Sequence, residues 1–182
     1  MQKGLIYLII AILLWSCKQK NGSSEYPAID VVGYMKGQLK ILDSIPYGIL
    51  KITEMKDRKS DSLYIKKDAL YKLLSPFLSS EISQSLLETE YEEKVFADAS
   101  TKKVNITYDA KNEDAKIHQV VVYMDPLKEE ISLLYITGFF ENSGGVIKKQ
   151  LLWNHNKGFQ IISVDSRAAS DYRSYTEKII WQ

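Results

Sequence analysis

The sequence predicts one α+β domain, with helices in the first half of the chain and an antiparallel sheet in the second. Its 182 residues are 45% hydrophobic and 26% charged, which is ordinary for a globular domain. Before residue 90, apolar residues recur at spacings of three and four, as along one face of a helix. After residue 90, short β-prone runs alternate with turns rich in Gly, Asn and Asp. Helices followed by a meander of strands define the α+β class.

The first predicted helix begins near Pro27 and ends before Pro46. Proline is favoured in the first turn of a helix, whereas the residue preceding a proline avoids helical backbone angles. The apolar face of this helix consists of Ile29, Val32, Met35, Leu39 and Leu42. We expect this face to pack against the sheet.

A β-hairpin and a second helical region come next. The residue types at 47–55 and 62–65 favour strands, and the polar segment between them favours a turn. The second helical pattern should end or kink at Pro76, because proline removes a backbone hydrogen bond. Ser79 or Ser80 is then placed to cap a further short helix.

Seven strands are predicted from residue 90 to the end of the chain. Each is a run of β-branched, aromatic or alternating apolar residues, bounded by residues that favour turns. In chain order they are Glu90–Ala97, Lys103–Asp109, Ile117–Met124, Ile131–Phe140, Val146–Trp153, Phe159–Val164 and Ser174–Trp181. Consecutive strands should pair as antiparallel neighbours, because the connections between them are short.

The order of helix, hairpin, helix and meander resembles that of nuclear-transport-factor-2-like (NTF2-like) and cystatin-like folds. In those folds a curved sheet wraps around a helix and often encloses a cone-shaped pocket. The resemblance implies a pocket between the sheet and the helices. A lipocalin-like barrel is the alternative, although two helical regions before the meander count against it.

The first seventeen residues have the pattern of an export signal. Lys3 precedes an apolar run from Leu5 to Leu14, and a small residue stands before Cys17. This run of about ten residues is too short to span a membrane, which takes about 20. The segment Leu14-Trp15-Ser16-Cys17 resembles the lipobox of bacterial lipoproteins, with Trp15 as a less usual residue at its position.

The lipobox resemblance divides the chain into three parts. Residues 1–16 form the signal peptide, and residues 17–25 comprise the lipidated Cys17 and a flexible polar tether. A single domain then occupies residues 26–182. Acyl chains such as palmitate on Cys17 would anchor the protein firmly in a membrane. An Asp after the cysteine retains enteric lipoproteins at the inner membrane, so Lys18 favours the outer membrane, on its periplasmic or its surface side.

Composition excludes several classes of function. The net charge is +1, and loss of Lys3 with the signal leaves 23 basic residues against 23 acidic ones. A nucleic-acid partner is therefore not expected, because such proteins are usually visibly basic. The single cysteine excludes an internal disulfide bond and a cysteine-based zinc site. We expect no cofactor and no metal.

Candidate catalytic residues are few. His118 falls in a predicted strand and His155 in a turn, so we expect an ordinary strand residue and a solvated turn residue. The pair Gly144-Gly145 lies between strands rather than before a helix, so it is a turn and not a phosphate loop. The sequence therefore predicts a protein that is not an enzyme, with no catalytic residue assigned.

Aromatic strand residues are the candidates for contact with a ligand or partner, because such side chains stack on sugars or line apolar pockets. They are Tyr108, Tyr123, Tyr135, Trp153 and Trp181. Ser44 and Ser62 lie in Asp-Ser-apolar tripeptides, which resemble the O-glycosylation signal of exported Bacteroidota proteins. Ser62 is the better candidate, because an exposed turn is predicted beside it.

Two functions fit these features. The favoured one is a non-catalytic interaction or scaffold module, anchored in the cell envelope and in contact with an envelope protein. It predicts a filled core and an exposed apolar or aromatic patch. The alternative is a small-ligand-binding protein with a pocket between the sheet and the helices. The chain is similar to small envelope lipoproteins of Bacteroidota, and this resemblance implies no active site.

Overall fold

The computed structural model describes residues 29–44, 46, 48–55, 58–142, 145–165 and 173–181. Cys17, the signal peptide and the tether lie outside the described residues. The described chain contains three α-helices, two short 3₁₀ turns and nine strands. The α+β class is confirmed, with a larger share of β-structure than of helix.

The first helix, α1, runs over Val31–Ser44 and ends before Pro46, as the sequence predicts. Its buried side chains follow spacings of three and four, and the most exposed of them is only 6% exposed. They are Val31, Met35, Leu39 and Leu42. Val32 was expected on this face but is only half-buried at its margin, because Val31 takes the position one turn before Met35.

Pro76 ends the second helix as expected. Helix α2 spans Lys67–Leu74 and gives way to a 3₁₀ turn at Ser75–Phe77, which carries the proline in its first positions. The Ser79 hydroxyl accepts a hydrogen bond from the backbone N–H of Glu81 at 3.2 Å, so it caps the second 3₁₀ turn. Helix α3 then covers Gln84–Glu90.

The seven predicted meander strands are all present, with ends that differ from the prediction by at most two residues. The hairpin strands are also present, although the second of them is longer than predicted. The nine strands are β1 (Ile49–Met55), β2 (Arg58–Ile65), β3 (Tyr91–Asp98), β4 (Lys103–Ala110), β5 (Ile117–Asp125), β6 (Glu130–Asn142), β7 (Gly145–Asn154), β8 (Gly158–Asp165) and β9 (Arg173–Trp181).

All nine strands form one antiparallel sheet in the order β2-β1-β9-β8-β7-β6-β5-β4-β3. Consecutive strands pair from β3 to β9, and β9 then pairs with β1, from Ile49 opposite Trp181 to Met55 opposite Tyr175. The first hairpin is therefore joined to the last strand of the chain. In the described residues β2 and β3 remain the edges of an open sheet, so the lipocalin-like barrel alternative is wrong.

One face of the sheet carries the hydrophobic core. Directly opposed residues share a face, and one such row runs Val122, Leu134, Trp153, Phe159 across four strands. These side chains are at most 3% exposed, and they form a single cluster with the buried face of α1. Phe77, from the turn after α2, contacts Phe140 edge-on at 5.6 Å. The described helices thus pack on this side of the sheet.

The packing of α1 makes a testable prediction. Leu39→Ala should lower the free energy of unfolding by about 3 kcal/mol, because the leucine is buried and its loss leaves a cavity. Lys40→Ala, at the exposed neighbouring position, should change it by less than about 0.5 kcal/mol. Urea unfolding of the full chain, followed by circular dichroism, measures both. Equal effects would contradict the packing of α1 on the sheet.

Candidate functional site

The side of the sheet opposite the described helices is called the outer face. Its centre consists of two rows of directly opposed residues on β5 to β8. The rows are Gln119, Thr137, Gln150, Ile162 and, beside them, Val121, Tyr135, Leu152, Gln160. Most of these side chains are half-buried, and the short Val121 and Thr137 are the most enclosed, at 9% and 8% exposed. Amide, hydroxyl, aliphatic and aromatic groups are therefore presented together.

Two hydrogen bonds order the amides of the outer face. Gln150 donates from Nε2 to the Tyr135 hydroxyl. Gln119 donates from Nε2 to the Asp109 carboxylate at 2.8 Å. An amide carries two N–H donors and an oxygen with two lone pairs, so each glutamine keeps capacity for a further partner.

Ion pairs flank this centre on both sides. On β3 and β4, Lys94 lies 3.0 Å from Asp109, and on β9 and β1, Lys178 lies 2.8 Å from Glu54. Burial alone would raise the pKa of Asp109, but hydrogen bonds from Gln119 and Lys94 and the lysine charge more than offset it, so that pKa is lowered. Lys94 also lies 3.3 Å from Glu92, so each flanking lysine is paired with at least one carboxylate, and the two rows between the flanks carry no charged side chain.

A groove opens at the rim of the sheet, next to the outer face. Its volume is about 730 Å³, and it is lined by the β4–β5 turn, the end of β6 and the start of β7. The turn is held against β6 by the backbone N–H of Phe139, which donates to the Lys116 carbonyl at 2.8 Å. The charged and aromatic lining includes Glu113, Asp114, Lys116, His118, Phe139 and Glu141.

His118 reaches this groove because β5 is irregular there. The pairing register of β5 with β6 shifts between Ile117 and Gln119, and both Ile117 and Val120 are fully buried on the helix side. Such a bulge re-aims the side chain at the extra residue. The centroids of the His118 and Phe139 rings are 4.7 Å apart. His118 is thus a strand residue as expected, but not one in a regular pairing.

His155 is not a solvated turn residue, and that expectation was wrong. Its side chain is 21% exposed, with Nε2 3.1 Å from a Glu130 carboxylate oxygen. Its Nδ1 lies 3.0 Å from the Tyr34 hydroxyl. The Tyr34 hydroxyl also lies 3.5 Å from the Ile131 carbonyl oxygen. Burial, followed by the Glu130 charge, raises the pKa of Tyr34 to about 12. These contacts fasten α1 to β6 and to the β7–β8 turn.

The five aromatic candidates do not form one cluster. Tyr108 and Trp153 lie in the core, at 2% and 0% exposed, where Trp153 stacks on Phe159 at 5.2 Å. Trp181 is half-buried beside Trp153, with 5.9 Å between ring centroids. Tyr123 and Tyr135 lie on the outer face. A contact with a partner is therefore open to these two tyrosines, while Tyr108 and Trp153 are occupied by the core.

Both serines of the glycosylation-like tripeptides are exposed. Ser44 is the last residue of α1 and donates its hydroxyl to the Lys40 carbonyl at 3.1 Å. Ser62 lies in the middle of the edge strand β2 rather than beside a turn, because β2 is longer than the sequence predicts. Of the two, Ser62 is the one on a strand whose outer edge is unpaired within the described sheet.

Sequence inspection missed several residues of the outer face and the groove. Phe139, Gln119 and Gln150 occupy strand positions of alternating polarity, and only the pairing register shows that they are neighbours. Among the described residues, no group of three His, Cys, Asp or Glu side chains could hold a metal ion. None of the helices in that part of the chain has the length and apolarity needed to cross a membrane.

No protein-family model, curated protein or solved structure matches this chain.

The burial of Tyr34 near Glu130 predicts a dependence of stability on alkaline pH. The pKa of Tyr34 is about 12 when folded and about 10 when unfolded, so its contribution is complete below pH 10 and is lost as pH rises towards 12. Tyr34→Phe should cost about 1 kcal/mol at pH 8 and should weaken the decline between pH 10 and 12. Urea unfolding at both ends of this range measures the effect.

The matched control is Tyr64→Phe, because Tyr64 is 75% exposed on β2. It should keep the wild-type profile across the same range. Burial also raises the pKa of Tyr91 to about 12, so Tyr34→Phe reduces the alkaline decline without abolishing it. A Tyr34→Phe profile that parallels the wild type up to pH 12 would contradict this account.

Proposed function

We propose that the protein is a non-catalytic interaction module, held at an envelope membrane by lipid on Cys17, and that it contacts its partner through the outer face. The observation that supports this proposal is the composition of the outer face. In antiparallel sheets, a face turned to water is normally polar. Here it holds Val121, Tyr135, Leu152 and Ile162 side by side, without a described helix packed on them. These side chains are half-buried or, for Val121, nearly buried by their neighbours within the sheet, and contiguous apolar groups of this kind on a face without a packed helix mark surfaces that contact a partner.

The alternative is a small-ligand-binding protein with its pocket between the sheet and the helices. The NTF2-like or cystatin-like element order would place a pocket there. Less supports this alternative, because the described side chains in that layer are closely packed. Met35, Phe77 and Trp153 are each 0% exposed and belong to one continuous cluster.

The anchor is tested by removing the lipidated cysteine. Cys17→Ala should move the protein out of the membrane fraction and abolish incorporation of labelled palmitate, because the thiol is the attachment point for the lipid. Lys18→Ala keeps the cysteine and should leave both unchanged. Cell fractionation and metabolic labelling are the measurements. A Cys17→Ala protein that is still labelled and still in the membrane fraction contradicts the anchor.

The contact surface is tested with a photo-cross-linking amino acid placed in the full chain in living cells. Placed at Tyr135, it should give a cross-linked adduct of higher mass, of one size or of a range of sizes, because this position faces the proposed partner. Placed at Tyr71, which is 37% exposed on α2, it should give none. Adding Leu152→Arg should abolish the product from position 135, since the charge lies beside the cross-linker. Equal products from positions 135 and 71 would refute the outer face as the contact surface.

A further inference from the structure

We propose that the partner is a neutral saccharide chain, which lies in the rim groove and along the adjoining outer face, with the Phe139 ring as its stacking platform. This inference rests on the proposed function, because it names the chemical class of the partner that the outer face contacts. It is carried by the continuity of the two surfaces, the side chains they present and the distribution of charge around them.

The groove and the outer face form one continuous track. Phe139 lines the groove and lies on the same face of β6 as Thr137 and Tyr135, at alternate positions along the strand. From Phe139 to Tyr135 the strand advances about 13 Å, which accommodates more than one sugar ring. On the neighbouring strand β5, His118 lies at the groove and Gln119 lies opposite Thr137 of β6. A chain ligand seated in the groove would therefore continue onto the outer face.

The track presents the groups that a polyhydroxylated ligand requires. A sugar hydroxyl both donates and accepts hydrogen bonds, and the glutamine amides, Thr137 and the Tyr135 hydroxyl do the same. At the groove, the carboxylates of Glu113, Asp114 and Glu141 form no ion pair with any described residue, so they can accept from hydroxyls. Lys116 supplies a donor, although it also lies 3.5 Å from Glu81.

Phe139 provides the apolar part of the site. Its side chain is 38% exposed, in contact with the His118 ring on one side and with the Lys148 ammonium 6.0 Å from its centroid. The face of an aromatic ring is negative, so it attracts the C–H groups on the apolar side of a sugar. The 38% of Phe139 that stays exposed beside these two neighbours is the part that a sugar ring can reach.

The charges disfavour other partner classes. The centre of the outer face is uncharged and its flanking ions are paired, which gives no complement to a strongly charged polymer. The three groove carboxylates would repel a polyanion, and the uncharged centre of the outer face gives a polycation no acidic partners beyond the groove. An uncharged polar chain is the class that both surfaces accommodate.

The test uses the ¹⁵N-labelled full chain in detergent micelles, observed by NMR. Cellohexaose, laminarihexaose, maltohexaose, xylohexaose and chitohexaose are the neutral probes, with a heparin hexasaccharide and pentalysine as charged controls. At least one neutral probe should bind saturably and shift resonances of residues 118–119 and 135–139. Phe139→Ala should weaken that binding at least tenfold. Tyr71→Ala removes an aromatic side chain that is 37% exposed on α2, away from the outer face, and it should change binding less than twofold.

Three results would overturn the inference: no neutral probe binds, Phe139→Ala binds as tightly as the wild type, or a charged control binds more tightly than every neutral probe. Should Phe139→Ala fail to fold, His118→Ala provides the same comparison from the other ring of the groove. The two proposals fail distinguishably. Absence of saccharide binding with cross-linking from position 135 retained rejects the saccharide alone, whereas loss of both rejects the outer face as well.

Discussion

The burial of one face of a nine-stranded sheet beneath α1 and the turns after α2 is the constraint on which the rest of the structure depends. Side chains alternate between faces along each strand, so every strand that contributes to the core also contributes to the outer face. The core side is supplied with helices and is closed by Trp153, Phe77 and Met35. No described helix covers the outer face, so the side chains of that face must themselves tolerate contact with water.

That composition links stability to function. A face that served only as a solvated surface would be dominated by charged side chains. Instead, the two central rows hold hydrogen-bonding amides and hydroxyls among aliphatic groups, and the charged side chains lie around them, in the flanking groups Glu92–Lys94–Asp109 and Lys178–Glu54 and at Lys148 beside Phe139. Such a surface remains soluble while it keeps unsatisfied hydrogen-bonding capacity and apolar area for a partner. The bulge at His118 extends it into the rim groove.

Local sequence patterns were sufficient for the elements and insufficient for their arrangement. The seven meander strands were predicted to within two residues, because alternation and turn residues are local signals. The pairing of β9 with β1 joins residues 120 to 132 positions apart, and no local pattern specifies it. The same applies to the contact of His155 with Tyr34. Alternation along the strands assigns Tyr108 and Tyr123 to opposite faces of the sheet. Only the packing of the helices shows that the face of Tyr108 is the buried one.

The most direct test of the central claim, that the outer face contacts the partner, is hydroxyl-radical footprinting of the full chain. Oxidation is compared between intact cells and the protein purified in detergent. The account predicts that Tyr123 and Tyr135 are oxidised several-fold less in cells, whereas the exposed helix residues Tyr71 and Ile41 are oxidised equally in both. Equal oxidation of Tyr135 in both states, together with protection of Tyr71, would contradict it and would move the contact surface to the helices.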